Sequence, residues 1–391
     1  MKSADRLKDI NEYYFSQKLR AIDAMNQEGK NVINLGIGSP DLPPHPEVIK
    51  VLQEQSARPD THAYQNYKGS PVLRKAIGDW YNRWYNAELD PESEILPLIG
   101  SKEGIMHICM TYLDEGDCAL IPDPGYPTYS AAVKLTGAAP LNYDLKATNN
   151  WRPDFDVIKI AIDTKNSAGP GKVKLMFVNY PHMPTGQLPD TALFEELVNF
   201  AKANDLILVH DNPYSFILND SPMSLMTVKG AREVALELNS LSKSHNMAGW
   251  RIGMMVGAAE KINEVLKFKS NMDSGMFLPL QLAAAHALGL GADWHQSVNA
   301  IYKNRRQMVF RLLDLLKCDY NKDQAGMFVW ASIPATYADG YQLSDAVLNN
   351  ANVFLTPGGI FGENGKNYIR ISLCCSEESM EQAINRIKEI I

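Results

Sequence analysis

Short apolar runs, each stopped by a polar or Gly/Pro cluster, recur through the first two-thirds of the chain at 94–99, 118–121, 174–178, 206–209, 234–238 and 254–256. Runs of this length bounded by turn residues read as buried strands. Amphipathic stretches lie between most of them. In residues 190–204, for example, Leu193, Phe194, Leu197, Val198 and Ala201 recur at helical spacing. Alternation of this kind builds a mostly parallel sheet covered by helices, an α/β fold. Polar residues are then expected at the carboxyl ends of the strands, where loops converge and ligands bind. Beyond about residue 280 the pattern changes to helices at 281–288 and 294–316, short strands at 327–331 and 368–373, and a last helix from Glu377. We expect a large domain over residues 45–280, a smaller α+β domain over 281–391, and an N-terminal segment, 1–44, that joins the smaller one.

With 391 residues and 45% hydrophobic content, the chain has ample material for a core of this size. Its net charge of -7 and lack of Lys/Arg runs leave nothing to meet a phosphate backbone, so nucleic acid is not an expected partner. The five cysteines are odd in number and lack C-x-x-C spacing, which suits a reducing compartment with free thiols. The first fifteen residues scatter charges where a signal peptide needs an apolar stretch, and no window approaches about 18 apolar residues. A soluble cytoplasmic protein without a membrane partner is the expectation. The eight histidines lack H-x-x-x-H spacing, so no metal site is expected.

Three segments combine a strand end with reactive or anion-binding residues. In NSLSKSHNMAGWRIG, residues 239–253, Lys243 sits among small hydroxyl residues with Arg251 eight positions later. A lysine kept neutral by desolvation or by neighbouring positive charge can form a Schiff base, and arginine can hold a phosphate nearby. The same triplet of Ser-Lys-Ser also suits a solvated surface. In LILVHDNPYSF, residues 206–216, a strand carries Asp211 to its end and Tyr214 follows. Asp211 can serve a ligand there, or cap the Asp-Asn-Pro turn. In LPLIGSKEGIMHICM, residues 96–110, a strand enters Gly100-Ser101-Lys102 and then a helix, whose free N–H groups make an anion site. Ser101 equally reads as a plain helix cap. The turns at 122–129 and 179–186 follow strands directly.

In this order and spacing the segments resemble the class I/II aminotransferases, the fold-type I pyridoxal-phosphate enzymes, from about Asn34 to the C-terminus. NLGIGSPDLPPHP resembles that family's N-terminal substrate loop, YQNYKGSPVLRKAI its dimer-contact segment, and TPGGIFG with YIRISL its C-terminal signature. The resemblance implies the cofactor pyridoxal 5′-phosphate, with Lys243 as the Schiff-base lysine and Asp211 as partner of the pyridine nitrogen. It implies Tyr214 and Asn179 as partners of the ring oxygen and Tyr126 stacked on the ring. Ser101, Lys102, Ser240 and Arg251 would hold the phosphate, with Tyr64 reaching in from the other subunit of a homodimer. Arg370 would clamp the substrate α-carboxylate, helped by Asn179 and the backbone of Gly38. The implied reaction is ping-pong transfer of an amino group from an amino acid to a 2-oxo acid. A C–S β-lyase on the same fold is the alternative; a ligand sensor usually adds a DNA-binding domain, for which we expect neither the spare length nor the basic charge here.

Two places stand apart. NYPHMPTG carries Met183 where N-x-P-x-N-P-T-G has a second asparagine. NEYYF, residues 11–15, resembles the Tyr-x-Phe segment of LL-diaminopimelate aminotransferases and implies Tyr13 near the substrate, whereas Ser274 stands where that subgroup carries a substrate-contacting asparagine. Neutral or aromatic donors are the expectation.

Overall fold

The computed structural model describes residues 2–8, 10, 12 and 14–390. Its larger sheet has seven strands in the order Ile95–Leu98, Gly253–Gly257, Ala235–Ser240, Ile207–Asp211, Val173–Val178, Cys118–Asp123 and Ala139–Asp144. Every adjacent pair is parallel except the two made by Gly253–Gly257, which runs against both neighbours. The fold class is the α/β one expected, and each expected strand of this region forms within a few residues of its apolar run. Ala139–Asp144 was not anticipated. As an edge strand it is largely exposed and reads APLNYD, with no continuous apolar run to mark it.

Successive side chains of a strand point to opposite faces. Val209, Leu236, Leu238 and Met255 therefore meet Ile105, Ile108, Val133 and Ile262 from helices on one face. Leu208, Ala235, Met254 and Val256 meet Ile77, Leu193, Phe194 and Ala283 from helices on the other. The same alternation sends Asp211 to the first face and its neighbour His210 to the second.

That second face contains a fully buried carboxylate, Glu237, at 0% exposure. Its oxygens accept from Tyr81 Oη at 2.9 Å, Ser224 Oγ at 2.9 Å and the Leu225 N–H at 2.8 Å. His210 Nδ1 lies 2.8 Å from Glu237 Oε2, while its Nε2 donates to the Tyr180 carbonyl at 2.8 Å. A charge buried this deeply is tolerated only when its lone pairs are filled. The network ties the helix Pro71–Tyr85, the turn before Leu225 and the loop after Val173–Val178 to the two strands beside the site.

A second, antiparallel sheet runs in the order Thr356–Pro357, Tyr368–Ser372, Phe328–Ser332 and Asp319–Tyr320. Its apolar residues Val329, Ala331, Ile369 and Ile371 share a core with Leu343, Val347, Ile384 and Ile387 from helices Gly340–Ala351 and Glu377–Lys388. Ile33–Asn34 pairs in parallel with Val353–Phe354, and the Ser372 N–H donates to the Leu35 carbonyl at 2.7 Å. Arg305 then holds Asp41 with two bonds of 2.7 and 2.9 Å. These contacts anchor both ends of the loop that carries Gly38.

Glu237→Ala leaves several buried donors without their acceptor. We expect it to lower stability by about 3–5 kcal/mol, seen as a lower urea midpoint. A midpoint equal to that of the unsubstituted protein would contradict the role given to this network.

Candidate active site

The carboxyl ends of the parallel strands open on a cavity of about 480 Å³, and Gly38, Phe15, Phe328 and Arg370 close it from the opposite side. Strand direction explains the gathering. Ile207–Asp211 delivers Asp211 at its last residue, and Ala235–Ser240 delivers Ser240 and then, through a single helical turn, Lys243. Because Gly253–Gly257 is antiparallel, its beginning lies at this same edge, with Ser240 paired to Gly253. Arg251 is thereby brought next to the Gly100-Ser101 turn that follows Ile95–Leu98.

Lys243 Nζ donates to the Gly38 carbonyl at 2.7 Å. Desolvation inside the cavity pulls its amine down to about 8, and the Arg370 and Arg251 cations act in the same direction while Cys374 opposes them. Residue 38 has to be glycine for this approach, since a Cβ there would lie 2.1 Å from Phe328 Cζ.

Asp211 is 5% exposed, and burial pushes its carboxyl up to about 6, opposed by a hydrogen bond from Tyr129 and by the nearby His210. Tyr129 Oη donates to Oδ2 at 2.9 Å, whereas the buried Oδ1 has no hydrogen-bond partner among the described residues. A buried acceptor left open is costly unless a ligand fills it. Tyr129 was missed in the sequence. Its spacing of three from Tyr126 across a helix start was the available signal. Tyr126 meets it edge-on at 5.6 Å and lines the cavity, as does Tyr214, whose phenol is shifted upward by desolvation.

At one end the cavity is strongly basic. Gly100 has φ +86, and a Cβ on it would lie 2.2 Å from Arg251 Nη2, so the guanidinium rests directly on the turn that starts the helix Ser101–Tyr112. Arg251 itself holds a left-handed backbone at φ 58 and donates to the Ala248 carbonyl at 3.0 Å. Ser240 Oγ lies 2.8 Å from Ser242 Oγ. Lys102 completes this end, its amine lowered by desolvation and by Arg251. Asp211 is the sole carboxylate among the described residues lining the cavity, against Lys102, Lys243, Arg251 and Arg370. Cations, hydroxyls and a helix start suit a phosphate, and the open Asp211 oxygen suits a protonated ring nitrogen. The residues present therefore fit pyridoxal 5′-phosphate.

At the other end Arg370, 4% exposed, donates through Nη2 to the Gly36 carbonyl at 2.9 Å and through Nη1 to Met183 Sδ at 3.3 Å. Its guanidinium carbon lies 3.8 Å from the centre of the Phe328 ring and 4.7 Å from that of Phe361. Met183, standing where the family motif has a second asparagine, thus meets Arg370, 187 residues away in sequence.

Three of the expected site residues stand apart from the rest. Asn179 lines the cavity, but its Nδ2 donates to the Asp211 carbonyl at 2.5 Å and its Oδ1 accepts from the Met183 N–H at 2.7 Å. These bonds let it position Asp211 and Met183, and they use only one of the two N–H groups on its amide nitrogen. Tyr64 does not line the cavity and is 90% exposed. A single chain does not bring it to the site. Tyr13 lies outside the described residues.

The chain matches the family aminotransferase class I and II over residues 30–387. It is 39% identical over 390 residues to the LL-diaminopimelate aminotransferase of Halothermothrix orenii, across 99% of this chain and 98% of that protein. With the enzyme of the same name from Moorella thermoacetica it shares 38% over 393 residues, across 100% and 99%. Among solved structures it is similar to apo-BacF from Bacillus subtilis, with a TM-score of 0.94 and 36% identity across 100% of this chain and 98% of that one. An aspartate aminotransferase mutant from Thermus thermophilus shares the fold at a TM-score of 0.90. Similar from end to end to these enzymes, the chain belongs to the class I and II aminotransferases.

Proposed function

We propose that this aminotransferase works with pyridoxal 5′-phosphate held at Lys243, and moves an amino group from an amino acid to a 2-oxo acid in a ping-pong cycle. The observation that carries the reading is one cavity in which a lysine amine drawn down to about 8 stands between a basic end, a buried carboxylate with an open oxygen, and a buried arginine. When bound, the cofactor supplies a pyridinium ring that spreads the negative charge left by breaking a bond at Cα.

The roles of the chain's own residues follow from chemistry. Ser101, Ser240, Arg251 and the backbone N–H of Lys102 bind the phosphate. Asp211 Oδ1 accepts the ring N–H, and Tyr129 keeps that carboxylate ionised by donating to its other oxygen. Tyr214 donates to the ring oxygen, and Tyr126 stacks on the ring. Arg370 takes the α-carboxylate in its planar fork. Lys243 Nζ, neutral once the pH exceeds about 8, is the general base that removes the Cα proton and returns it beyond the transferred nitrogen. The Gly38 carbonyl accepts from Nζ and so fixes where the amine stands.

A homodimer is part of the same proposal, because Tyr64 is exposed in one chain and would serve a second copy. We also take the two sheets as cores of separate domains, dividing near residue 280. A cytoplasmic location agrees with five free cysteines, and among the described residues no helix is long and apolar enough to cross a membrane. The β-lyase alternative gains nothing from the relatives described above, which are aminotransferases by name.

Borohydride reduction of the cofactor-treated protein, followed by peptide mapping, should tag Lys243 in the unsubstituted protein and in Arg370→Ala, and tag nothing in Lys243→Ala. Turnover should fall by at least about a hundredfold in Lys243→Ala, whereas Arg370→Ala should mainly raise KM, roughly thirtyfold or more. Unchanged turnover in Lys243→Ala contradicts the mechanism. Tyr129→Phe removes a hydrogen bond to the charged form of Asp211, so in cofactor-free protein the infrared band of the neutral carboxyl should persist to a pH higher by roughly one unit or more. No movement would mean that Tyr129 does not control this carboxylate.

A further inference from the structure

Five charged side chains are found among the described residues lining the cavity: Lys102, Asp211, Lys243, Arg251 and Arg370. On the reading above, each has a task at the cofactor or at the α-carboxylate. The wall beside Arg370 is of a different character. Met183 Sδ accepts from its Nη1 at 3.3 Å, and the Phe361 and Phe15 rings lie 4.7 and 5.6 Å from its guanidinium carbon. Leu19 and Ile37 are further apolar residues lining the cavity. An amino acid whose carboxylate is seated on Arg370 must direct its side chain along these groups.

We infer that the side-chain pocket takes large apolar side chains, aromatic ones above all, and rejects a second charged group. This rests on the proposed aminotransfer and narrows it. An aromatic ring gains from edge and face contacts with Phe15 and Phe361 and from the polarisable sulfur of Met183. A distal carboxylate or ammonium would lose its water against the same wall, which carries no counter-charge beyond Arg370 among the described residues. Met183 is central to the selectivity. A thioether accepts weakly from Arg370 and donates nothing, so it holds the arginine without offering a polar contact to the substrate.

The test uses the cofactor-loaded enzyme and two non-reacting acids, 3-phenylpropanoate and pimelate, with binding measured by calorimetry. In parallel, kcat/KM is measured for L-phenylalanine and for LL-diaminopimelate as donors. The aromatic member of each pair should lead by at least about tenfold. Leu19→Arg, which adds a cation to the cavity lining, should narrow both ratios while borohydride tagging at Lys243 stays as before. Pimelate binding as tightly as 3-phenylpropanoate, or LL-diaminopimelate turned over as efficiently as phenylalanine, would overturn the inference and leave aminotransfer standing. If neither amino acid yields its oxo acid but another donor does, the inference fails and aminotransfer stands; if no amino acid passes its nitrogen to a 2-oxo acid while Lys243 is tagged normally, the aminotransfer reading fails, and the inference with it.

Discussion

Burial in one cavity penalises the charged forms of an acid and a base together, and the rest of the site depends on that shared penalty. It lifts Asp211 to about 6 and lowers Lys243 to about 8, bringing both toward neutrality from opposite sides. A lysine in this state is a usable nucleophile and base near ordinary pH. The carboxylate must remain charged to do its work, and the surrounding protein provides for this. Tyr129 donates to it on its own face of the sheet, and His210 on the opposite face also favours the ionised form.

The sheet sets these distances. Parallel strands run out along one edge, so Asp211, paired with Leu238, and Ser240, two residues further along the neighbouring strand, both reach it. A phosphate site also needs a cation near a helix start, and the single reversed strand Gly253–Gly257 supplies it by returning Arg251 to that edge. The smaller sheet contributes the substrate end. Arg370 sits mid-strand, paired with Trp330 and Thr356, and the Gly36 carbonyl and Met183 sulfur orient it from two other segments. A rigid strand is a better support than a loop for a residue that must meet a carboxylate with two parallel bonds.

Much of this was legible in the sequence, and the exceptions have physical reasons. Apolar runs revealed the buried strands because both faces of a parallel sheet are covered, and the same logic hid Ala139–Asp144 at the exposed edge. Lys243 and Asp211 stood out because one follows a strand and the other ends one, and Arg251 and Arg370 because they stand inside segments that resemble the family's motifs. Tyr129 did not, since an aromatic residue on an amphipathic helix looks like core until a carboxylate is found beneath it. Asn179 also holds the Asp211 carbonyl and the Met183 N–H, bonds that depend on the exact path of its loop. The Met183–Arg370 contact joins residues far apart in sequence, and Tyr64 has no partner to reveal within one chain. Pairwise contacts of this kind have no periodicity to betray them.

The central claim is that nitrogen leaves one amino acid, stays with the protein, and is delivered to another oxo acid. The direct measurement is to load the cofactor-bound enzyme with an ¹⁵N-labelled amino acid, remove free donor and its oxo-acid product, add a different 2-oxo acid, and analyse the products by mass spectrometry. The account predicts the label in a new amino acid built on the added oxo acid. Label released as ammonia, with none passed to the acceptor, would contradict it.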